Sequence, residues 1–300
     1  MIRQIISKFF ASLRQLGHWV IPYSRWGDRL ISLWQFVSAH KRLPNSSNGF
    51  NDVLYRIKTS DEITDPLRVF VTDKELAKLF IAATIGPDYP VPTLAVLRSP
   101  EDVDTFDFPD TCCIKPTHSS AMIILRKDGE EIDRERIKSW FTHNYYFRFR
   151  EANYRYLQPK IIVEPLLFNS KSVIDYKCFC YNGEPRAIQV DIDRRGDWKA
   201  GMFHTDWTEH QVTVDAELGH PAMQKPANLD QMLAAAKKLC QHFPTIRVDM
   251  YSNGEDFYIG ELTKCAGGAI QPMPPGARED ELSELIYGAD WRHPANQAGG

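Results

Sequence analysis

The stretch Arg247-Val-Asp249-Met-Tyr251-Ser-Asn-Gly-Glu-Asp-Phe257-Tyr-Ile-Gly-Glu261-Leu-Thr263 sets two carboxylates, Asp249 and Glu261, twelve positions apart in what reads as a β-hairpin. Val, Tyr, Phe and Ile fill both arms, and Asn253-Gly254 supplies the turn. In an antiparallel hairpin the loop length decides which side chains share a face. A three- or five-residue loop pairs Asp249 with Ile259 and makes Asp249 and Glu261 diagonal neighbours, with Cβ atoms roughly 7–8 Å apart. Two carboxylates at that spacing can grip one or two hard cations. Arg247 and Thr263 then share their face, while Val248, Met250 and Leu262 turn toward a core. A two-residue turn would instead put the acids on opposite faces. The segment by itself fits an ordinary surface hairpin with two solvated acids equally well.

Three hundred residues allow one large or two modest domains. A hydrophobic fraction of 43% and a charged fraction of 25% belong to an ordinary soluble globular chain. The net charge of −3 gives no case for nucleic-acid binding by the whole molecule. Charge is nevertheless unevenly placed. Residues 1–44 hold seven basic residues against Asp28 alone, net +6, leaving 29 basic and 38 acidic residues, net −9, in the rest. The six cysteines form a Cys112-Cys113 pair, a Cys178-x-Cys180 and two singles, Cys240 and Cys265, with neither zinc spacing nor a disulfide framework. Reduced, buried thiols in a cytoplasmic protein are the expectation. Lys8, Arg14 and Gln15 interrupt any apolar run a secretory signal would need, and no stretch is apolar over the roughly 18 residues of a spanning helix.

Residues 2–16 place Ile2, Ile5, Ile6, Phe9, Phe10, Leu13 and Leu16 at helical spacing, with Arg3, Lys8 and Arg14 elsewhere on the wheel. Such a helix can lie on an anionic membrane or pack on its own domain. The turn-rich stretch 42–49 links it to the rest of the chain. A helix is expected from Asp73 to Ile85, a short strand at Leu94–Leu97, and a strand at Cys112–Lys115 closing on Pro116-Thr-His118-Ser119-Ser120. A strand at Met122–Leu125, a helix over roughly 133–154 and a buried strand at Lys160–Val163 come next, the last running into Glu164-Pro165-Leu166-Leu167. Val173–Tyr181 alternates, with Asp175, Lys177 and Phe179 on one face, and turns at Asn182-Gly183 into a strand over Arg186–Asp193. The expected helix Leu229–Phe243 has Asn228 as its cap, with Gln231 three residues on. Asp175 and Lys177 read on pattern alone as a surface pair, and Asp191, Asp193, Arg194 and Arg195 as a solvated strand end.

In order, a strand ends in Lys115 at a loop of small hydroxyl residues, a buried strand runs into Glu164-Pro-Leu-Leu, Lys177 lies beside Asp175, and the hairpin comes last. This order resembles the ATP-grasp fold, an α+β architecture in which two subdomains clamp a nucleotide. Thr72-Asp73-Lys74, Ile114-Lys115-Pro116-x-His118, Pro159-Lys160-Ile-Ile-x-Glu164, Asp175-Tyr-Lys177-x-Phe179-Cys-Tyr-Asn-Gly183, Asp191-x-Asp193-Arg194, Asp206-Trp207, Phe243-Pro-x-x-Arg247-Val-Asp249-x-Tyr251 and Gly260-Glu261-Leu-Thr263 occur in sequence. Together they are similar to the teichuronopeptide-biosynthesis (TupA-like) branch of that superfamily, over roughly residues 44–290.

The resemblance implies ATP and Mg as cofactors and a role for each matching residue. Asp249 and Glu261 are the expected metal ligands, with Thr263 where many relatives carry Asn. Lys115 and Lys177 would meet the phosphates, with His118, Ser119, Ser120 and Asp175 beside them. Glu164, Leu166 and Leu167 form the hinge whose backbone meets adenine. Arg247, Lys177 and Arg194 would act on the reacting groups or the acceptor. The Thr-His-Ser-Ser-Ala loop after Lys115 lacks the usual glycines, so its hydroxyls must do more.

The expected organisation is a basic amphipathic helical segment at 1–44, an N-terminal α/β part at 45–110, a lid subdomain at 111–167 and a metal-site subdomain at 168–292. The implied activity is carboxylate–amine ligation through an acyl phosphate, in capsule or lipopolysaccharide synthesis. A glycan kinase using the same nucleotide site and a non-catalytic glycan-assembly module stand as alternatives. The implied partners are a nucleotide and a glycan or amino-acid acceptor, with peripheral membrane contact through residues 1–40 and no nucleic acid. The implied place is the cytoplasm, at the inner face of the membrane.

Overall fold

The computed structural model describes residues 21–45, 49–193, 196–210, 223–271 and 279–288. The amphipathic stretch 2–16, Arg194 and Arg195 lie outside them. Helices α1 (Arg25–His40), α2 (Phe50–Thr59), α3 (Pro66–Phe70) and α4 (Lys74–Ile85) come first. Strand β1 (Ala95–Leu97), helix α5 (Pro100–Thr105) and strands β2 (Cys112–Pro116) and β3 (Ile124–Arg126) come after them. Helices α6 (Arg134–Ser139) and α7 (Tyr145–Phe149) precede β4 (Ile161–Glu164). Then come β5 (Ile174–Tyr181), β6 (Glu184–Ile192), β7 (Lys199–His204), β8 (Glu209–His210), α8 (Leu229–Cys240), β9 (Thr245–Ser252), β10 (Phe257–Thr263) and α9 (Glu279–Tyr287).

Two antiparallel sheets result, one ordered β1-β4-β2-β3 and one ordered β10-β9-β5-β6-β7-β8. Alternation along the central strands divides the larger sheet into two unlike faces. Tyr176, Cys178, Val190, Val248, Met250 and Leu262 form a core with Leu229, Met232, Ala236 and Leu239 of α8. The other face is polar in the middle. At one end of it Phe179, Ala187 and Met202 are covered by Phe50, Val53 and Ile57 of α2 and Leu282 and Ile286 of α9. The small sheet has its own core, in which Ile114, Ile161 and Val163 meet Val103, Ile137 and Trp140.

One short segment joins the sheets. Tyr89 O accepts from Ile259 N at 2.8 Å, and Val91 N donates to Ile259 O at 3.3 Å. Four residues later, Ala95 to Leu97 pair with Val163 to Ile161 of β4. The outer edge of β10 is thereby covered where it would otherwise show unpaired backbone groups.

Several expectations are corrected. The helix expected over 133–154 breaks into α6, α7 and two 3-10 turns, because Asn144 caps a new start and Arg150 ends it in the left-handed region at φ 55°. Asn228 precedes α8 without a side-chain cap, since its Oδ1 accepts instead from Ser252 Oγ at 3.2 Å. Asp191 is buried beside Lys177 rather than solvated, and Lys177 is wholly buried rather than part of a surface pair. An unpaired ammonium at that depth would cost several kcal/mol, which the pairing with Asp191 and Asp175 offsets.

A second buried charge group lies under α2. Lys58 Nζ donates to Gln35 Oε1 and Gly268 O, both at 3.0 Å. Gly268 has φ +62°, and a Cβ there would stand 3.1 Å from Glu151 Oε1. Burial pushes the Glu151 carboxyl up from 4.5 to about 7, with the Lys58 ammonium opposing. The folded protein therefore keeps a proton that the unfolded chain gives up, and stability is lost as pH rises from about 4.5 to about 7. Glu151→Gln should flatten that decline by up to roughly 1.4 kcal/mol per pH unit. Melting temperatures of both proteins across this pH range check it; parallel curves would contradict the assignment.

Candidate functional site

Cross-strand register lays the polar face out in three rows. Gln189, Lys177, Asp249 and Glu261 line up across β6, β5, β9 and β10. Asp191, Asp175, Tyr251 and Tyr258 form a row on one side. Ala187, Phe179, Arg247 and Thr263 form one on the other.

The two carboxylates meet by a route that loop length alone does not provide. Ser252 pairs with Phe257, so the hairpin loop has an even number of residues, and Met250 pairs with Ile259. Continued unbroken, that register would turn Glu261 away from Asp249. A β-bulge between Ile259 and Glu261 skips Gly260 and restores the parity, so that Glu261 stands directly opposite Asp249 instead of diagonal to it. The bulge needs glycine because the Tyr251 ring lies against it: a Cβ on Gly260 would stand 2.4 Å from Tyr251 Cε2.

Asp249 is held on both oxygens. Arg247 Nε donates to Oδ1 and Nη2 to Oδ2, each at 2.6 Å. Thr263 Oγ1 donates to Asp249 Oδ2 and accepts from Arg247 Nη2, both at 3.2 Å. Thr263 thus orients Asp249, and Oδ1 keeps a lone pair that Arg247 does not use. Glu261 Oε1 stands 3.7 Å from Lys74 Nζ, which also donates to Ser119 O at 2.7 Å. Burial alone would raise the Glu261 carboxyl, but the charges of Lys74, Lys264 and Arg247 outweigh it and bring it down to about 2. Lys264 follows on the same strand end, and its ammonium is fixed on Val71 O and Leu262 O at 2.7 and 2.6 Å.

The facing wall comes from the small sheet. Glu164, at the end of β4, takes Lys115 Nζ on Oε2 at 2.7 Å and Lys78 Nζ on Oε1 at 2.6 Å. Its side chain is therefore part of the wall, a part that reading it as a backbone hinge omits. Cys113, Lys115, Leu125 and Glu164–Leu167 on this side, with Val173, Asp175 and Tyr251 on the other, line one cleft of about 760 Å³, open mouth included.

The loop after Lys115 is held tightly without glycine. Ala121 takes the left-handed conformation at φ 63°. Ser119 is buried and its hydroxyl faces Met122 Sδ at 3.4 Å, while Ser120 is half-buried. His118 accepts Lys160 N–H on Nδ1 at 3.3 Å, so Nε2 carries the proton and donates to Trp140 O at 3.1 Å. Both ring nitrogens are spent on backbone, which leaves neither for a phosphate; burial lowers its pKa accordingly. Leu166 is buried and Leu167 half-buried on the cleft wall. Arg194 lies outside the described residues.

Lys74 and Gly260 stand in the sequence motifs without an assigned role, and Lys78 lies outside them. Lys74 and Lys78 stand one helical turn apart on α4, a spacing that puts both ammoniums on one face. Gly260 sits alone in a strand pattern, the signal for a bulge or a close backbone approach. Asp73 fixes the start of α4: Oδ1 caps Glu75 N and Leu76 N, and Oδ2 takes Thr117 Oγ1 and Lys160 Nζ, both at 3.0 Å.

Gly260→Ala should destabilise the protein by about 1–3 kcal/mol through overpacking against Tyr251. Made in a Tyr251→Ala background, Gly260→Ala should cost much less than it does in the wild type. Thermal unfolding of both variants tests this, and equal melting temperatures for Gly260→Ala and wild type would remove the bulge's supposed dependence on glycine.

The model of the TupA-like ATP-grasp family matches residues 54–287, a span that includes both sheets and the cleft. No curated protein gives a match. D-alanine–D-alanine ligase from Helicobacter pylori is 16% identical over 67% of this chain and 56% of that one, with a TM-score of 0.39. L-amino acid ligase from Bacillus licheniformis is 12% identical over 80% and 55%, with a TM-score of 0.42. The ATP-grasp ligase PsnB, solved with its minimal precursor, Mg and ADP, is 15% identical over 79% and 65%, with a TM-score of 0.40. The chain thus spans little more than half the length of the first two structures. The family match takes in more than three-quarters of the 300 residues, in the motif order read from the sequence: the chain belongs to the TupA-like ATP-grasp family, with its α+β fold.

Proposed function

We propose that the protein is an ATP- and magnesium-dependent ligase that joins a carboxylate to an amine through an acyl phosphate. The observation that carries this reading is the row Lys177–Asp249–Glu261, next on the same sheet face to the row of Asp175 and Tyr251 that lines a cleft with Lys115 and Glu164. Phosphoryl transfer asks a protein mainly for positioning and charge neutralisation, and this cleft offers both.

The residues suit magnesium. Asp249 and Glu261 offer only hard oxygen donors, and among the described residues no three His, Cys, Asp or Glu side chains converge to cage a metal by themselves. Magnesium is commonly held by one or two carboxylates together with phosphate oxygens and water, which matches a two-acid site. Bound there, it would neutralise charge on the transferring phosphate. Lys115 and Lys177 would supply point charges to the phosphates. Arg247, rigid in its fork, would face charge developing on the acyl group. The hinge Glu164–Leu167 would present backbone to the adenine edge. An amine then attacks the acyl phosphate, so no enzyme nucleophile is required.

The family's association points the substrate toward bacterial surface polysaccharide, capsule or lipopolysaccharide, with a glycan or amino acid as acceptor. Among the described residues no helix is long and apolar enough to cross a membrane. We place the enzyme in the cytoplasm, with its basic N-terminal end meeting lipid-linked intermediates at the inner face.

Asp249→Asn and Glu261→Gln should each lower ADP release by at least about 10²-fold. ADP release screened over uronic-acid glycans with each amino acid, followed by mass spectrometry, identifies the reaction. An amide product with free phosphate supports the ligase. Phosphate retained on the sugar would make it a kinase, and undiminished turnover in both variants would remove the site.

A further inference from the structure

We propose that Lys78 is a positioning residue of the nucleotide site. By holding one oxygen of Glu164 it keeps that carboxylate from claiming Lys115, whose ammonium is left for the phosphates. This role rests on the ligase reading for its nucleotide and adds to that site a residue that touches no substrate. Lys78 stands on α4 and is absent from the cleft lining, whereas Lys115 and Glu164 both belong to it.

The buried carboxylate of Glu164 is engaged on both oxygens. Lys115 Nζ stands 2.7 Å from Oε2, and Lys78 Nζ stands 2.6 Å from Oε1. The two ammoniums are not equivalent. Lys78 opens on a separate groove and also donates to Thr93 Oγ1 at 2.8 Å and Pro92 O at 3.4 Å. With Glu164 these make three partners, as many as an ammonium has donors, and all belong to the protein. Lys115 Nζ has Glu164 alone among the described residues, which leaves it donors for a ligand in the cleft. Lys78 is fixed, and Lys115 is available.

Charge gives the arrangement its purpose. On the large sheet Arg247 and Asp249 cancel, and Lys177 between Asp191 and Asp175 leaves one negative charge. Two lysines on Glu164 leave one positive charge, on the wall where phosphates are expected. Burial works against both ammoniums. At Lys115 the Glu164 charge outweighs it and raises the pKa above the ordinary lysine value, while at Lys78 burial prevails and the pKa falls. Glu164 left with Lys115 alone would therefore form a closed neutral pair, and a phosphate would have to compete with a buried carboxylate for the ammonium. Lys78 removes that competition, and an arriving phosphate supplies the anion that the two-lysine group lacks.

Calorimetric titration of the full chain tests this, with the non-hydrolysable analogue AMP-PNP plus magnesium and, separately, with adenosine, which has no phosphate. Lys78→Met should weaken AMP-PNP binding at least about tenfold, the effect of losing one bond to a charged group, and leave adenosine binding as it was. Lys78→Arg, which keeps the charge, should restore the AMP-PNP affinity. In a Glu164→Gln background no carboxylate competes for Lys115, so Lys78→Met should cost much less there than in the wild type. Where Lys78→Met does not fold, Lys78→Gln carries the same comparisons. AMP-PNP binding untouched by loss of Lys78, an equal loss for adenosine, or an equal loss in the Glu164→Gln background would each overturn the proposal. Wild-type protein that binds neither probe would instead remove the nucleotide site itself, so the two failures are distinguishable.

Discussion

The whole site hangs on a parity constraint. A strand shows alternate residues to opposite faces, and an even hairpin loop commits β10 to the register that hides Glu261 from Asp249. One unpaired residue at Gly260 reverses that commitment for the last part of the strand. Ile259 can then serve the core with Met250 while Glu261 and Thr263 join Asp249 and Arg247 on the polar face. The Tyr251 ring packs into the space the missing side chain leaves, so the same tyrosine lines the cleft and sets the pairing of Glu261 with Asp249.

Around that pair the site is built from charges that already neutralise one another. Lys115 and Lys78 rest on Glu164, Arg247 on Asp249, and Lys177 on Asp191 and Asp175. In a partly buried cleft unpaired charges would cost several kcal/mol each, and these pairings offset that cost. They also set its preference. A polyanion with its cation can take over the lysines as the cation takes over the carboxylates, one set of compensated charges exchanged for another. A neutral ligand could break these pairs only at a net loss.

Much of the architecture was legible in the sequence because strand alternation and turn residues carry it. The faces of β5, the helix start at Asp73 and the strand ending at Lys115 all come from local pattern. What escaped is what depends on partners far along the chain. The bulge at Gly260 answers to Tyr251 across the ladder, and the ammonium of Lys78 answers to Glu164 on the other sheet. His118 looks like a ligand beside a phosphate loop until Lys160 and Trp140 take its nitrogens. Asp191 looked solvated because nothing nearby in sequence announces that Lys177 will be sealed against it.

The segment that pairs with Ile259 at one end and with β4 at the other acts as a strap fixed to both jaws. Its unpaired middle is short, Pro92 and Thr93, and proline has little backbone freedom to give. Lys78 touches this strap, at 3.4 Å from Pro92 O and 2.8 Å from Thr93 Oγ1, with the same ammonium that holds Glu164. One nitrogen atom therefore ties the strap to the acid of the cleft wall, so the two sheets are cross-linked by a side chain as well as by backbone.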